Sequence, residues 1–286
     1  MTIEKGTGTA ERLRNRIAIV GVAESGLGDN AGRDALELQA EAARAALGEA
    51  GLGPADVDGV FAHTGGTYAP GLVAEYLGLR PSYLDGTNIG GTSNVSHVIH
   101  AAAAIAAGLC NVALITYGST QRSDASRRLA GRDEDPRSPR GQYEAPHGML
   151  APLGHYAMVA RRHMHQHGTT AEELAEVAVA ARQWAALNPV ARRRAPLSVA
   201  EVLDSPMVAE PLHVLDCCLV TDGGGALVVT SAERSRDLAQ RPVLVAGMAE
   251  AANRHFFLAG DCDITTSDAA ITGRRAMEMA GVGHAD

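Results

Sequence analysis

Apolar runs of strand length alternate with longer stretches whose apolar positions recur every three to four residues. Arg16–Ala23 (RIAIVGVA) lacks polar alternation and predicts a strand buried on both faces. Asp34–Ala50 (DALELQAEAARAALGEA) predicts an Ala/Leu/Glu helix closed by Gly51. Val57–Ala62 predicts a second strand, Gly71–Leu77 a short helix, and the residues around Tyr83 a third strand. A helix opening at Gly91–Ser93 and running to Ala107 leads into a strand over Val112–Tyr117. The pattern then lapses into an Arg/Asp/Gly/Pro-rich loop over Gly118–Ala151, a length typical of lids and linkers. Leu153–Gln166 predicts a helix, and so does the stretch after Thr169-Thr170 through Ala186, with Thr170 and Glu173 at capping-box spacing and Asn188-Pro189 as the stop. Strands over Gly225–Thr230 and Pro242–Gly247 and a helix over Ala269–Ala280, ended by Gly281, complete the chain. Strands alternating with helices predict an α/β protein with a mainly parallel sheet.

Composition narrows the chemistry. The 286 residues are 46% hydrophobic but only 3% aromatic, so the core is built from Ala, Val, Leu and Ile. A net charge of -8 argues against a phosphate-tracking nucleic-acid surface. Lys5, the sole lysine, sits in a Gly/Thr-rich leader, which excludes Schiff-base and pyridoxal-phosphate chemistry and a Walker-type phosphate loop. Cys110, Cys217, Cys218 and Cys262 show no CxxC spacing and suggest a reducing compartment. With no secretory segment at the start, a cytoplasmic location is the expectation. Ala101–Gly118 is long enough to mimic a membrane span, but Gly108 and Asn111 interrupt it and its composition turns β-rich at Val112; it reads as a buried helix and a buried strand.

Four other patterns invite chemistry. His163, His165 and His167 include a pair one helical turn apart, but lack the further ligands a zinc site needs, so no metal is expected. Adjacent Cys217 and Cys218 in an apolar run fit core packing better than a dithiol. The glycines of GVAESGLG have the wrong spacing for a dinucleotide loop. In the turn Asn88-Ile89-Gly90-Gly91-Thr92-Ser93, an extended segment enters a helix, so its N–H groups suit a carbonyl oxygen or oxyanion; glycines for a tight turn with Ser93 as N-cap are the plainer alternative.

The segments RIAIVGVAESGLG with RDALELQAEAARAAL, NIGGTSNVSHVIHAAAAIAAGLCNVALI, RRHMHQHGTT, PLHVLDCCLVTDGGGALVVT and GRRAMEMAGVG together resemble, in order, the thiolase superfamily, in the branch linked to sterol-carrier and lipid-transfer proteins. That resemblance implies a layered α-β-α-β-α fold of two similar halves, usually dimeric, acting on acyl groups carried by coenzyme A. It divides the chain into a disordered leader over 1–15, a complete first half over 16–240 with a loop and lid region at about 118–215, and the start of a second half over 241–286. The second half would stop after one strand and one helix, as in a truncated product or a chain completed by another.

The family's nucleophilic cysteine stands three residues after an asparagine. Here Asn88 keeps the asparagine position and Gly91 occupies the nucleophile's, a register supported by Gly108 at the helix end. The resemblance therefore points away from thiolysis and toward lipid-transfer-type aldolases, which cleave β-hydroxyacyl-CoA side chains, as in steroid degradation, with a small OB-fold and zinc-ribbon partner. Such a retro-aldol step needs a base and an oxyanion site but no acyl-enzyme. Coenzyme A enters as part of the substrate, and no tightly bound cofactor is expected. A non-catalytic scaffold or acyl-CoA-binding subunit is the alternative, followed by acetyltransferase-like acyl transfer completed by another chain. The substrate-binding candidates are Asn88, Gly90, Gly91, Thr92 and Ser93, with His147 and His155 in the stretch where the family carries its substrate-covering loop. Ser93 as nucleophile with His97 as its base is a weaker catalytic reading. Arg122, Arg127, Arg128, Arg132, Arg137 and Arg140 offer guanidinium groups for coenzyme A phosphates, or are neutralised by Asp124, Asp133, Glu134 and Asp135.

Overall fold

A computed structural model describes residues 13–64, 66–124, 135–149, 152–252 and 263–286. In chain order the elements are β1 (Ile17–Gly28), α1 (Ala35–Ala50), β2 (Gly59–Phe61), α2 (Ala69–Leu77), β3 (Tyr83–Asp85), α3 (Ser93–Ala106) and β4 (Val112–Ser119). After them come α4 (Pro139–Tyr143), α5 (Leu153–His167), α6 (Ala171–Leu187), α7 (Val199–Leu203), β5 (Met207–Ala209), β6 (Leu212–His213), β7 (Asp222–Ser231), β8 (Val243–Leu244) and α8 (Ala269–Ala280). Ala101–Gly118 is indeed the end of a helix followed by a buried strand, and no helix among the described residues is long and apolar enough to cross a membrane.

The chain forms two compact units, one of Met1–Ser123, Thr221–Asn253 and Asp268–Asp286, the other of Asp124–Val220 and Arg254–Ser267. The first holds a six-stranded sheet in the order β3-β2-β4-β7-β1-β8. The expectation of a mainly parallel sheet is corrected. Parallel pairing joins β3, β2 and β4, but β7 runs antiparallel between β4 and β1, and β8 pairs antiparallel with β1. A helical crossover forces parallel strands, whereas the chain between β4 and β7 is an excursion of about a hundred residues that imposes no direction on its return.

Both faces of this sheet are covered, which explains why its strands read as unbroken apolar runs. Ala18, Val60, Leu114 and Val228 point to one face and pack with Ala42, Ala43, Ala46 and Leu47 of α1 and Val73 of α2. Their neighbours Ile17, Phe61, Ile115 and Val229 point to the other and pack with Ala101, Ala102 and Ala104 of α3. Helix α1 begins with a capping box between Asp34 and Glu37 and ends at Gly51 in the left-handed conformation. Asp58 fixes the start of β4, its carboxylate accepting the N–H groups of Asn111 (2.7 Å) and Val112 (2.8 Å).

Helix α1 approaches the sheet unusually closely. A Cβ on Gly21 would stand 2.1 Å from the Ala46 carbonyl oxygen, one on Gly118 2.2 Å from that of Ala35, and one on Gly224 2.5 Å from that of Leu38. The arrangement recurs near the end of the chain: a Cβ on Gly247 would lie 2.0 Å from the Ala276 oxygen of α8 and 3.0 Å from the Ala280 Cβ, as one on Gly21 would lie 3.4 Å from the Ala50 Cβ. Gly281 then ends α8 in the left-handed conformation, as Gly51 ends α1.

In the second unit, α6 begins with the expected capping box of Thr170 and Glu173 and ends at Asn188. Helix α7 carries a similar box from Ser198 and Glu201, and β5 and β6 form a short hairpin.

Gly21→Ala is expected to lower stability by about 1–3 kcal/mol, because the methyl meets backbone that cannot swing away. Gly48→Ala, in the last turn of α1 with no atom within 4 Å of the added methyl, is expected to raise it by about 0.5–1 kcal/mol. Urea unfolding midpoints of the two variants, moving in opposite directions, check the pair.

Candidate functional site

Strands β2, β3 and β4 run parallel, and the segments leaving their C-terminal ends converge where open α/β sheets bind ligands. One of these segments is the Asn88–Ser93 turn. It forms a short 3₁₀ turn over Gly90–Thr92 that passes directly into α3. Gly90 has φ +84°, a conformation that disfavours any side chain, whereas Gly91 does not lie in that region. A Cβ on Gly91 would meet nothing within 4 Å, so neither backbone conformation nor crowding demands a glycine there.

The turn holds itself together with its own side chains. Asn88 Oδ1 accepts the N–H of Gly90 at 3.1 Å, and Ser93 Oγ accepts the N–H of Ile89 at 3.0 Å while donating to the Gly90 carbonyl at 2.6 Å. Two of the N–H groups available to an oxyanion are thus already engaged. Ser93 is fully buried, and no hydrogen bond joins it to His97 among the described residues. The serine fastens the turn, and the structure does not assemble the Ser93–His97 pair.

His97 instead donates its Nε2–H to the carbonyl of Thr87 at 3.0 Å, tying α3 to the residue before Asn88. Asp85, the last residue of β3, accepts the N–H of Thr87 at 2.8 Å and its hydroxyl at 2.7 Å. The other Asp85 oxygen lies 2.7 Å from His100 Nδ1, and Glu250 lies 3.7 Å from His100 Nε2. Burial pulls the Asp85 carboxyl upward, but the Thr87 and His100 hydrogen bonds outweigh it and hold the group below its ordinary range. His63 follows β2, its ring centroid 5.9 Å from that of His97 and 5.8 Å from that of Tyr117. Burial lowers the pKa of both His63 and His97, in His97 against the opposing pull of Asp85 and the Thr87 carbonyl.

Sequence reading found the turn and His97 but missed His63, Asp85 and His100. The available signals were a polar ring at the end of the apolar run VFAH and a second histidine three residues after His97 on the same helix face.

The remaining candidates lie elsewhere. His155, in the second unit, is fully buried on α5 with Nε2 2.8 Å from Glu144, which also pairs with Arg140 at 3.3 Å; His147 is exposed at the end of a short 3₁₀ turn. Arg122 pairs with Asp29 and Arg137 with Asp135, each at 3.3 Å, so the described arginines of the long loop have carboxylate partners. Lys5, Arg127, Arg128, Arg132, Asp133, Glu134, Cys262 and most of the leader lie outside the described residues. Cys110 is buried beyond the far end of α3, and burial pushes its thiol up to about 11, with Asp58 adding to the effect. Among the described residues no group of three or more His, Cys, Asp or Glu is placed to hold a metal ion.

The mixed sheet, its glycine-seated helices and a self-fastened turn at the mouth of α3 define a layered α/β protein with its candidate site at the ends of the parallel strands. Comparison with known proteins agrees. The chain is 38% identical over 245 residues to the 17-hydroxy-3-oxo-4-pregnene-20-carboxyl-CoA lyase of Mycobacterium tuberculosis, covering 83% of this chain and 63% of the relative. It is 30% identical to an acetyl-CoA acetyltransferase of Methanothermobacter thermautotrophicus, covering 92% of this chain and 70% of that one. Among solved structures, an Ltp2-ChsH2(DUF35) aldolase superposes with a TM-score of 0.84 at 33% identity, covering 96% of this chain and 72% of that chain. No family profile matches. The chain belongs to the thiolase superfamily, in its aldolase branch, and spans a little under two thirds of the length of the steroid-cleaving relatives it matches.

Protonation of His63 and His97 is expected to make stability fall with pH. Unfolded, both imidazoles take up protons near their ordinary value of 6.5; folded, they do so only at lower pH. The unfolded state therefore binds more protons in that interval, and stability present above pH 6.5 is lost as pH falls through it. Asp85 acts with the same sign but in a lower, carboxylate range. Urea unfolding at pH 7.5 and 5.5 should show the loss, and His97→Gln should reduce it.

Proposed function

We propose that this chain belongs to an enzyme that cleaves a carbon–carbon bond of a β-hydroxyacyl-CoA by retro-aldol reaction, on a steroid side chain. The observation that carries this reading is Gly91: the turn of a thioester-handling family is kept, with an open position where the family's sulfur stands. The identity to a steroid-CoA lyase supports the substrate class. In this reading the thioester oxygen approaches the turn at Gly91, beyond the N–H groups taken by Asn88 and Ser93. Fixed dipoles there stabilise the enolate left when the bond breaks. Coenzyme A arrives with the substrate, and the reaction belongs to the cytoplasm.

The same reading makes the chain one part of an assembly. Val243 and Leu244 of β8 are 65% and 46% exposed at the sheet edge, and Ile271 and Val282 in and just after α8 are 42% and 48% exposed. Apolar residues on an open edge favour a covering partner. A second copy is proposed, together with a small OB-fold and zinc-ribbon subunit; the Ltp2-ChsH2(DUF35) aldolase that superposes on this chain supports a small partner. Light scattering at micromolar concentration should give a particle larger than the 29.7 kDa chain; a monodisperse monomer would remove the assembly.

Incubation with a 17-hydroxy steroid-CoA thioester should release a C17 ketone and a shortened acyl-CoA, with no covalent acyl adduct by intact-protein mass spectrometry. Binding without cleavage would leave the acyl-CoA-binding scaffold. An adduct on Ser93 would restore serine acyl transfer.

A further inference from the structure

Two imidazoles beside the turn each have a buried nitrogen without a hydrogen-bond partner. His97 is fully buried, and because the Thr87 carbonyl can only accept, the His97 proton is on Nε2; its Nδ1 is a bare acceptor with no partner. His63 Nδ1 is also buried and unpartnered, although the ring as a whole is only half-buried. The rings meet nearly edge to face, with 62° between their planes. Buried polar atoms are ordinarily hydrogen-bonded, so two unpaired nitrogens side by side suit a polar guest. The contrast is His100, one turn along α3, which has a carboxylate near each nitrogen.

The two rings differ in what they can reach. His97 is enclosed by Phe61, His63 and His100 and is anchored to the turn through Thr87. His63 follows β2 at the ligand-binding end of the parallel strands, with Tyr117 of β4 on its other side. Its partial exposure makes it the member of the pair that can touch a substrate.

We propose that His63, packed edge to face against His97, is the proton acceptor for the β-hydroxyl of the bound CoA thioester. This rests on the retro-aldol reading above. The hydroxyl proton passes to an imidazole nitrogen of His63 as the Cα–Cβ bond breaks. The C–O bond becomes a ketone carbonyl, and the electron pair of the broken bond becomes the thioester enolate at Gly91. The imidazolium then returns its proton to Cα, giving the shortened acyl-CoA and neutral His63. Atoms and charge balance with no further reagent. Burial, which lowers the His63 pKa, keeps the ring neutral and ready to accept at pH 7.

The test uses the full chain with two thioesters, 17-hydroxy-3-oxo-4-pregnene-20-carboxyl-CoA and its analogue lacking the 17-hydroxyl. Histidine ring resonances and product release are followed by NMR in the same sample. His63 should shift with the hydroxylated thioester and not with the analogue. His63→Asn should slow ketone release about 100-fold or more while binding the analogue within threefold of wild type; His63→Gln serves if the first variant does not fold. Binding of both thioesters with His63 unmoved, or undiminished release by the variants, overturns the assignment and leaves the retro-aldol reading intact. No ketone from the wild-type chain overturns that reading and the assignment built on it.

Discussion

Carbonyl oxygens of α1 occupy the space where side chains would otherwise stand on three neighbouring strands. Gly21 of β1, Gly224 of β7 and Gly118 of β4 form the seat, and a methyl at any of them would come within 2.5 Å of the helix backbone. Ser25 adds a polar fastening by donating its hydroxyl to the Leu38 carbonyl at 2.5 Å. Because the helix crosses three strands, it sets their relative position, and β4 in turn sets β2 and β3 beside it. The ends of those three strands are where the turn, His63 and Asp85 are brought together. A small aromatic content suits this architecture, since a helix seated on glycine leaves room for alanine rather than for rings.

The site is assembled by polar contacts that mostly satisfy one another. Asp85 holds Thr87, Thr87 holds His97, and Asn88 and Ser93 hold the N–H groups of Gly90 and Ile89. Such a network gives a turn a fixed shape without a large apolar contribution, and it leaves open space at Gly91. On the proposed retro-aldol reading, the site supplies proton transfer and enolate stabilisation in place of a sulfur nucleophile. Cys110 offers no substitute, being buried at the other end of the helix with a thiol that stays protonated at neutral pH.

Local rules made most elements legible. The Thr170–Glu173 capping box, the glycine stops at Gly51 and Gly281 and the apolar run of β4 stand where the pattern places them, because each depends on neighbours a few residues away. Other features were not legible for the opposite reason. The direction of β7 depends on a partner more than a hundred residues earlier in the chain, and β1 runs on to Gly28 because β7 pairs with residues beyond Ala23. Ser93 and His97 have the right spacing for a nucleophile and base, yet their hydrogen bonds go to Gly90, Ile89 and Thr87, a choice made by backbone geometry.

By itself the sequence determined the α/β class, the superfamily resemblance, the position of the turn and the glycine at Gly91 where the resemblance expects a cysteine, since composition, period and motif order are properties of the chain read in line. Only the tertiary structure decided the mixed sheet, the seating of α1 on glycine and the meeting of His63 with His97. Those depend on distances between residues far apart in sequence, and a hydrogen bond or a steric limit acts on distance in space rather than on separation along the chain.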